Sequence, residues 1–202
     1  MITNLTIIDN IFPHPEEVRA FALTQDFSVA PVVDGHAYKG FSQITDAPFG
    51  QYLTDHIAQA LGLNVSVKIA CVVMGTAEPT QQWIHADNPA ANFAGVIYLF
   101  DRPNHGTAFW KHVALSSSAE TLTAFMKEWL EAGNPVEEAS QYLQIAGTEE
   151  AEWTRTDYAE SKFNRLIVYP TDRFHSRWPR EAFGTTPENC RLTISVFFDI
   201  VE

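Results

Sequence analysis

His85 and Asp87, in the run Trp83-Ile84-His85-Ala86-Asp87-Asn88, lie two residues apart between apolar, strand-like stretches. Alternate residues of an extended chain point to one face, so this imidazole and carboxylate can reach one cation from a single strand end. Two imidazoles and one carboxylate on one face of an octahedron make a non-haem iron site, with three positions left for substrate and dioxygen. The pair supplies two of those ligands. Alone it reads as a hydrogen-bonded couple at a strand end, so a third ligand from a neighbouring strand decides its meaning. Of the seven histidines, His175 is the first choice, because it follows the buried-looking strand 165–169 at its turn end. His112, which ends the strand 106–110, is the second.

Arg191 adds an anion site. It opens the run Arg191-Leu192-Thr193-Ile194-Ser195-Val196-Phe197-Phe198. By period two, Arg191, Thr193 and Ser195 share one face and Leu192, Ile194 and Val196 the other. A solvated polar face is the ordinary reading of such alternation. This one carries no Lys or Glu and runs into two phenylalanines, which points it inward. A guanidinium with a hydroxyl two residues on can hold a carboxylate by a bidentate pair and one further hydrogen bond.

These groups need strands to position them. Strand patterns run over 5–8, 65–74, 83–87, 93–100, 106–112, 164–170 and 191–199, with shorter ones near Val32 and over 38–44. Helices are expected after Pro13-His14-Pro15, with Val18, Phe21 and Ala22 as the apolar face, and over 51–60, stopped by Gly62. A third helix carries the stripe Leu122, Phe125, Met126, Trp129 and Leu130, with Ser117 and Glu120 reading as its capping box. A shorter helical stretch follows to about residue 145, and 148–161 is polar and poorly periodic. The expected class is mainly β with flanking helices, an antiparallel sandwich or barrel. The whole chain, 1–202, reads as one domain: an N-terminal α/β support over 1–62 and a core over 63–199 with a helical insertion at 116–161. That insertion is either a lid or a helical pair covering one sheet face.

A net charge of −12 argues against a nucleic-acid partner, which calls for a basic patch. With 46% apolar and 19% charged residues the chain is globular. Residues 1–5 lack the pattern of a signal peptide, and no apolar run approaches the roughly 18 residues that span a membrane. A cytoplasmic protein without a membrane partner is expected, with Cys71 and Cys190 as free buried thiols.

The order His85-x-Asp87, then His175, then Arg191-x-Thr193 resembles the iron(II)- and 2-oxoglutarate-dependent dioxygenases. The pattern extends through Tyr98-Leu99, Gly106-Thr107-Ala108-Phe109-Trp110, Asn164-Arg165 and Tyr169-Pro170, and it resembles a bacterial branch with a prolyl-hydroxylase-like layout. The resemblance covers about residues 65 to 199; the gap from Asp87 to His175 is longer than in many members, which the insertion explains. It implies a double-stranded β-helix (jelly-roll, cupin-like) core, with His85, Asp87 and His175 on iron(II). It also implies Arg191, helped by Thr193 and Tyr98, on the distal carboxylate of 2-oxoglutarate. Dioxygen and 2-oxoglutarate would be consumed to hydroxylate a small molecule, amino acid or peptide. Asn92, Trp83, Trp110 and Lys68 are candidate liners of the substrate pocket. Two rivals use the same residues: a cupin-type isomerase or hydrolase in which Arg191 binds substrate directly, and a non-catalytic jelly-roll binding protein.

Overall fold

Helix boundaries follow the capping chemistry more closely than the apolar spacing. A computed structural model describes residues 4–28, 32–33, 36–37, 40–75, 84–87, 91–113, 119–181 and 183–202. Trp83, Asn88 and Ser117 lie outside the described residues. Helix α1 (Pro15–Leu23) has proline in its first turn, beside Glu16 and Glu17 at the positive end of the helix dipole. Helix α2 (Ala47–Leu61) starts before the expected Gln51. The Asp46 carboxylate accepts from the Phe49 amide at 2.7 Å, and Pro48 is tolerated in the first turn. Gly62 ends it in the left-handed conformation, φ 64°.

The strands form two principal antiparallel sheets. The larger has the order β1 (Thr6–Asp9), β9 (Arg165–Pro170), β6 (Phe93–Tyr98), β11 (Arg191–Ile200), β5 (Val65–Gly75) and β4 (Phe41–Gln43). The smaller has the order β10 (His175–Trp178), β7 (Gly106–His112) and β8 (Trp153–Glu160). Among the described residues, β2 (Val32–Val33) and β3 (His36–Ala37) pair only with each other.

Each sheet face has its own core. Leu192, Ile194 and Val196 of β11 pack with Val18 of α1 and with Leu53 and Ile57 of α2 on the outer face of the large sheet. Between the sheets Val96, Tyr98, Ile167 and Tyr169 meet Phe109 and Ala159. The outer face of the small sheet is covered by α3 (Leu122–Glu131) and α4 (Ala139–Ala146), whose Phe125, Trp129 and Ala139 join Trp110, Trp153 and Phe174. Phe125 is fully buried, worth about 1.5–3 kcal/mol relative to exposure. Of the expected helical stripe, Leu130 lies outside this core, at 52% exposure.

Two expectations for residues 116–161 are corrected. The helix cap is Thr121, whose hydroxyl accepts from the Ala124 amide at 3.2 Å, in place of the Ser117 and Glu120 box. The segment is also not wholly helical, because β8 lies inside it and pairs along the full length of β7. β8 is an edge strand in which only Trp153 and Ala159 are buried, so its other positions are polar and its period is weak. No helix among the described residues is long and apolar enough to cross a membrane.

Candidate metal centre

His85 is joined to β10 by an isolated antiparallel bridge to His175. The His85 amide donates to the His175 carbonyl at 3.0 Å, and the His175 amide returns a bond at 2.8 Å. The Asp87 amide is held by the Thr171 carbonyl at 2.9 Å. Backbone pairing therefore sets both the His85–Asp87 segment and His175 at one place. The imidazole centroids of His85 and His175 are 4.5 Å apart. Asp87 lies between them, with Oδ1 3.8 Å from His85 Nε2 and Oδ2 3.4 Å from His175 Nε2. One ligand atom from each of the three lies within 4.8 Å of the others, the one such His/Cys/Asp/Glu group among the described residues.

The protonation pattern fits a cation. His175 Nδ1 sits 2.9 Å from the Arg173 carbonyl oxygen, which can only accept, so Nδ1 carries the proton and Nε2 presents a lone pair. Burial pushes the His175 pKa down to about 4, with the Asp87 charge opposing, so the ring is neutral near pH 7. A lone pair on nitrogen thus faces a carboxylate oxygen in a buried site. Two acceptors in that position repel each other unless a cation lies between them. The donor set of two imidazoles and a carboxylate suits iron(II).

The same pocket, about 130 Å³, contains Arg191. Its Nη1 donates to Thr193 Oγ1 at 3.4 Å, and its guanidinium carbon lies 5.9 Å from the Tyr98 ring centroid and 6.0 Å from that of Phe100. Arg191 Nε is buried with no hydrogen-bond partner among the described residues. Ser195 lines the pocket and Thr193 is fully buried. The polar face of β11 is therefore turned inward, toward the smaller sheet.

Other sequence-named residues lie elsewhere. The Tyr98 hydroxyl is not in the pocket: it bonds Thr107 Oγ1 at 2.8 Å and lies 3.4 Å from the Ala159 carbonyl, leaving only its ring beside Arg191. Asn92 and Lys68 are drawn to Asp199 near the far end of β11. Asn92 bonds the Asp199 carboxylate at 2.9 Å through both its amide groups, and Lys68 Nζ is 3.8 Å away. Trp110 lies on the outer face of the small sheet, donating to Ser176 Oγ at 3.0 Å. His112 is not brought to the pair. It sits 3.3 Å from Glu152 and 3.1 Å from the Tyr142 hydroxyl, packed against Phe125 and Trp153. Both cysteines are free; Cys190 is buried as expected, whereas Cys71 is half-buried.

Tyr169 and Arg177 also line the pocket, although neither is assigned a role there from sequence. Tyr169 shares the inner face of β9 with Ile167. Burial raises its hydroxyl pKa well above the ordinary value, with the Asp87 charge adding to it. Arg177 follows His175 by two residues in β10, a spacing that shares a face, and this was the signal available.

Known structures share the architecture. The iron-bound structure of HygX from Streptomyces hygroscopicus aligns with TM-score 0.55 at 10% identity, covering 98% of this chain and 82% of that one. EctD from S. alaskensis with bound Fe aligns with TM-score 0.52 at 12% identity, covering 98% and 73%. SnoN, a non-heme alpha ketoglutarate dependent epimerase from nogalamycin biosynthesis, aligns with TM-score 0.54 at 14% identity, covering 97% and 78%. At these identities the likeness is one of fold, a mainly β two-sheet architecture. No curated protein matches the sequence. A family model does match, over residues 2–198, and the chain belongs to that family, the family of unknown function DUF6445.

Proposed function

We propose that this protein is an iron(II)- and 2-oxoglutarate-dependent oxygenase with a double-stranded β-helix core, hydroxylating a small molecule, an amino acid or a peptide. The observation that carries the proposal is the 3.4 Å approach of His175 Nε2 to Asp87 Oδ2, with His85 beside them and Arg191 in the same pocket. The fold likeness to HygX and EctD structures that hold iron, and to one of HygX with nickel and 2-oxoglutarate bound, supports it.

His85, Asp87 and His175 would hold the metal. When bound, iron(II) supplies the dioxygen chemistry that couples decarboxylation of 2-oxoglutarate to oxidation of a C–H bond. The remaining work belongs to the chain. The Arg173 carbonyl fixes the His175 tautomer, so that Nε2 is always the ligand atom. Arg191 takes the distal carboxylate of the cosubstrate, and Thr193 steadies its Nη1. Buried Tyr169 and half-buried Phe197 wall the pocket against bulk water.

The test is anaerobic addition of iron(II) and 2-oxoglutarate, followed by visible spectroscopy. A weak metal-to-ligand charge-transfer band should appear, and Asp87→Ala should lack it. Reconstituted wild-type protein without the band overturns the proposal.

A further inference from the structure

Arg177 projects from the same face of β10 as His175 and lines the same pocket as Arg191, although it is 92% buried by its 8% exposure. Its Nε donates to the Arg180 carbonyl at 2.8 Å, which orients the guanidinium. Its terminal nitrogens make no hydrogen bond to a described residue, and no described carboxylate lies within ion-pair distance of either arginine. The exposed Glu181 is the acid whose field reaches Arg177.

The two guanidiniums belong to strands of different sheets, Arg191 to β11 of the large sheet and Arg177 to β10 of the small one. That of Arg191 runs along β11 past Thr193 toward the Tyr98 and Phe100 rings. That of Arg177 crosses from the small sheet to the end of β5. A Cβ on Gly75 would come within 3.3 Å of Arg177 Nη1, and within 3.4 Å of Arg191 Cβ. Gly75 therefore leaves the room that Arg177 Nη1 occupies, beside the root of Arg191. A second cation is thus held in the pocket that Arg191 already occupies. A largely buried charge without a carboxylate partner is costly, and an anion would offset that cost. Each guanidinium is oriented by its own neighbour, that of Arg177 by the Arg180 carbonyl and that of Arg191 by Thr193.

We propose that Arg177 is a second anion anchor of this pocket, and that the prime substrate carries a carboxylate which Arg177 receives while Arg191 holds the cosubstrate. This rests on the oxygenase reading above. A planar guanidinium fork matches a carboxylate bidentately, which makes Arg177 a specificity-determining residue for acidic small molecules or free C-termini.

The binding part can be tested without iron. Arginine Nε–H resonances of the metal-free protein are followed by NMR while N-acetylglycine, N-acetylglycinamide or inorganic phosphate is added. The Arg177 resonance, assigned by its loss in Arg177→Gln, should move with N-acetylglycine and not with the amide. It should still move in Arg191→Gln. Arg177→Lys, which keeps the charge, should retain binding with an affinity loss of about tenfold, and it serves if Arg177→Gln does not fold. An Arg177 resonance that ignores the carboxylate, or responds to phosphate alone, overturns the proposal. So does a loss of 2-oxoglutarate affinity in Arg177→Gln equal to that in Arg191→Gln, because both arginines would then serve one ligand. A missing charge-transfer band with an intact Arg177 response would instead overturn the iron reading and leave the carboxylate anchor standing.

Discussion

His175 Nε2 lies 3.4 Å from Asp87 Oδ2, and the hydrogen bond from Nδ1 to the Arg173 carbonyl leaves no proton between them. An acceptor facing a carboxylate inside a protein is unfavourable without a cation. The same backbone pairing that joins His85 to His175 creates this contact, so the fold builds a ligand set whose electrostatics call for a metal.

Metal binding should follow that geometry. His175→Ala should lose iron(II), read as metal content after anaerobic loading and desalting. His112→Ala should retain it, because His112 is held on the outer side of the small sheet by Glu152 and Tyr142. Retention of iron by the first variant and loss by the second would exchange their roles.

Arg191→Ala should weaken 2-oxoglutarate by roughly 2–5 kcal/mol, the cost of leaving a buried carboxylate without its charged partner. Titration of the charge-transfer band, or calorimetry with the iron-loaded protein, gives the number. Unchanged affinity would remove Arg191 from the cosubstrate site.

The metal-free protein should lose stability in mild acid. The folded pKa of His175 is about 4, below the ordinary 6.5, so between those values the unfolded chain binds a proton that the folded one does not. The contribution is complete above about pH 6.5 and disappears as pH falls toward 4, a difference on the order of 3 kcal/mol. Denaturant midpoints of wild type and His175→Ala should differ in pH slope across that window. Parallel slopes would contradict the burial of a neutral imidazole.

Gly106→Ala tests the strand that the sequence hid. A Cβ there would lie 2.0 Å from the Ala159 carbonyl oxygen, a backbone atom of β8 that cannot rotate away. Overpacking of this kind costs about 1–3 kcal/mol, so the thermal midpoint should fall by several degrees. An unchanged midpoint would mean that β8 does not pack on Gly106 as described.

Local periodicity in the sequence already determined that His85 and Asp87 share a side and that Arg191, Thr193 and Ser195 share another face. The period of two acts within one strand and needs no partner. The helices were legible for the same reason, with caps displaced where Asp46 and Thr121 offered an oxygen to the first turn. Only the tertiary structure decided which strands become neighbours. β10 brings His175 to His85, whereas His112 ends β7 among the aromatics of the outer core. Burial of the Tyr98 hydroxyl against Thr107 left Tyr169 to line the pocket. Asp199 gathered Asn92 and Lys68 near the far end of β11. Arg177 entered because a strand too short to show a pattern of its own, only Trp178 closing it, was paired to β7. Each of these outcomes depends on pairing between residues distant in sequence, which side-chain period within one strand cannot encode.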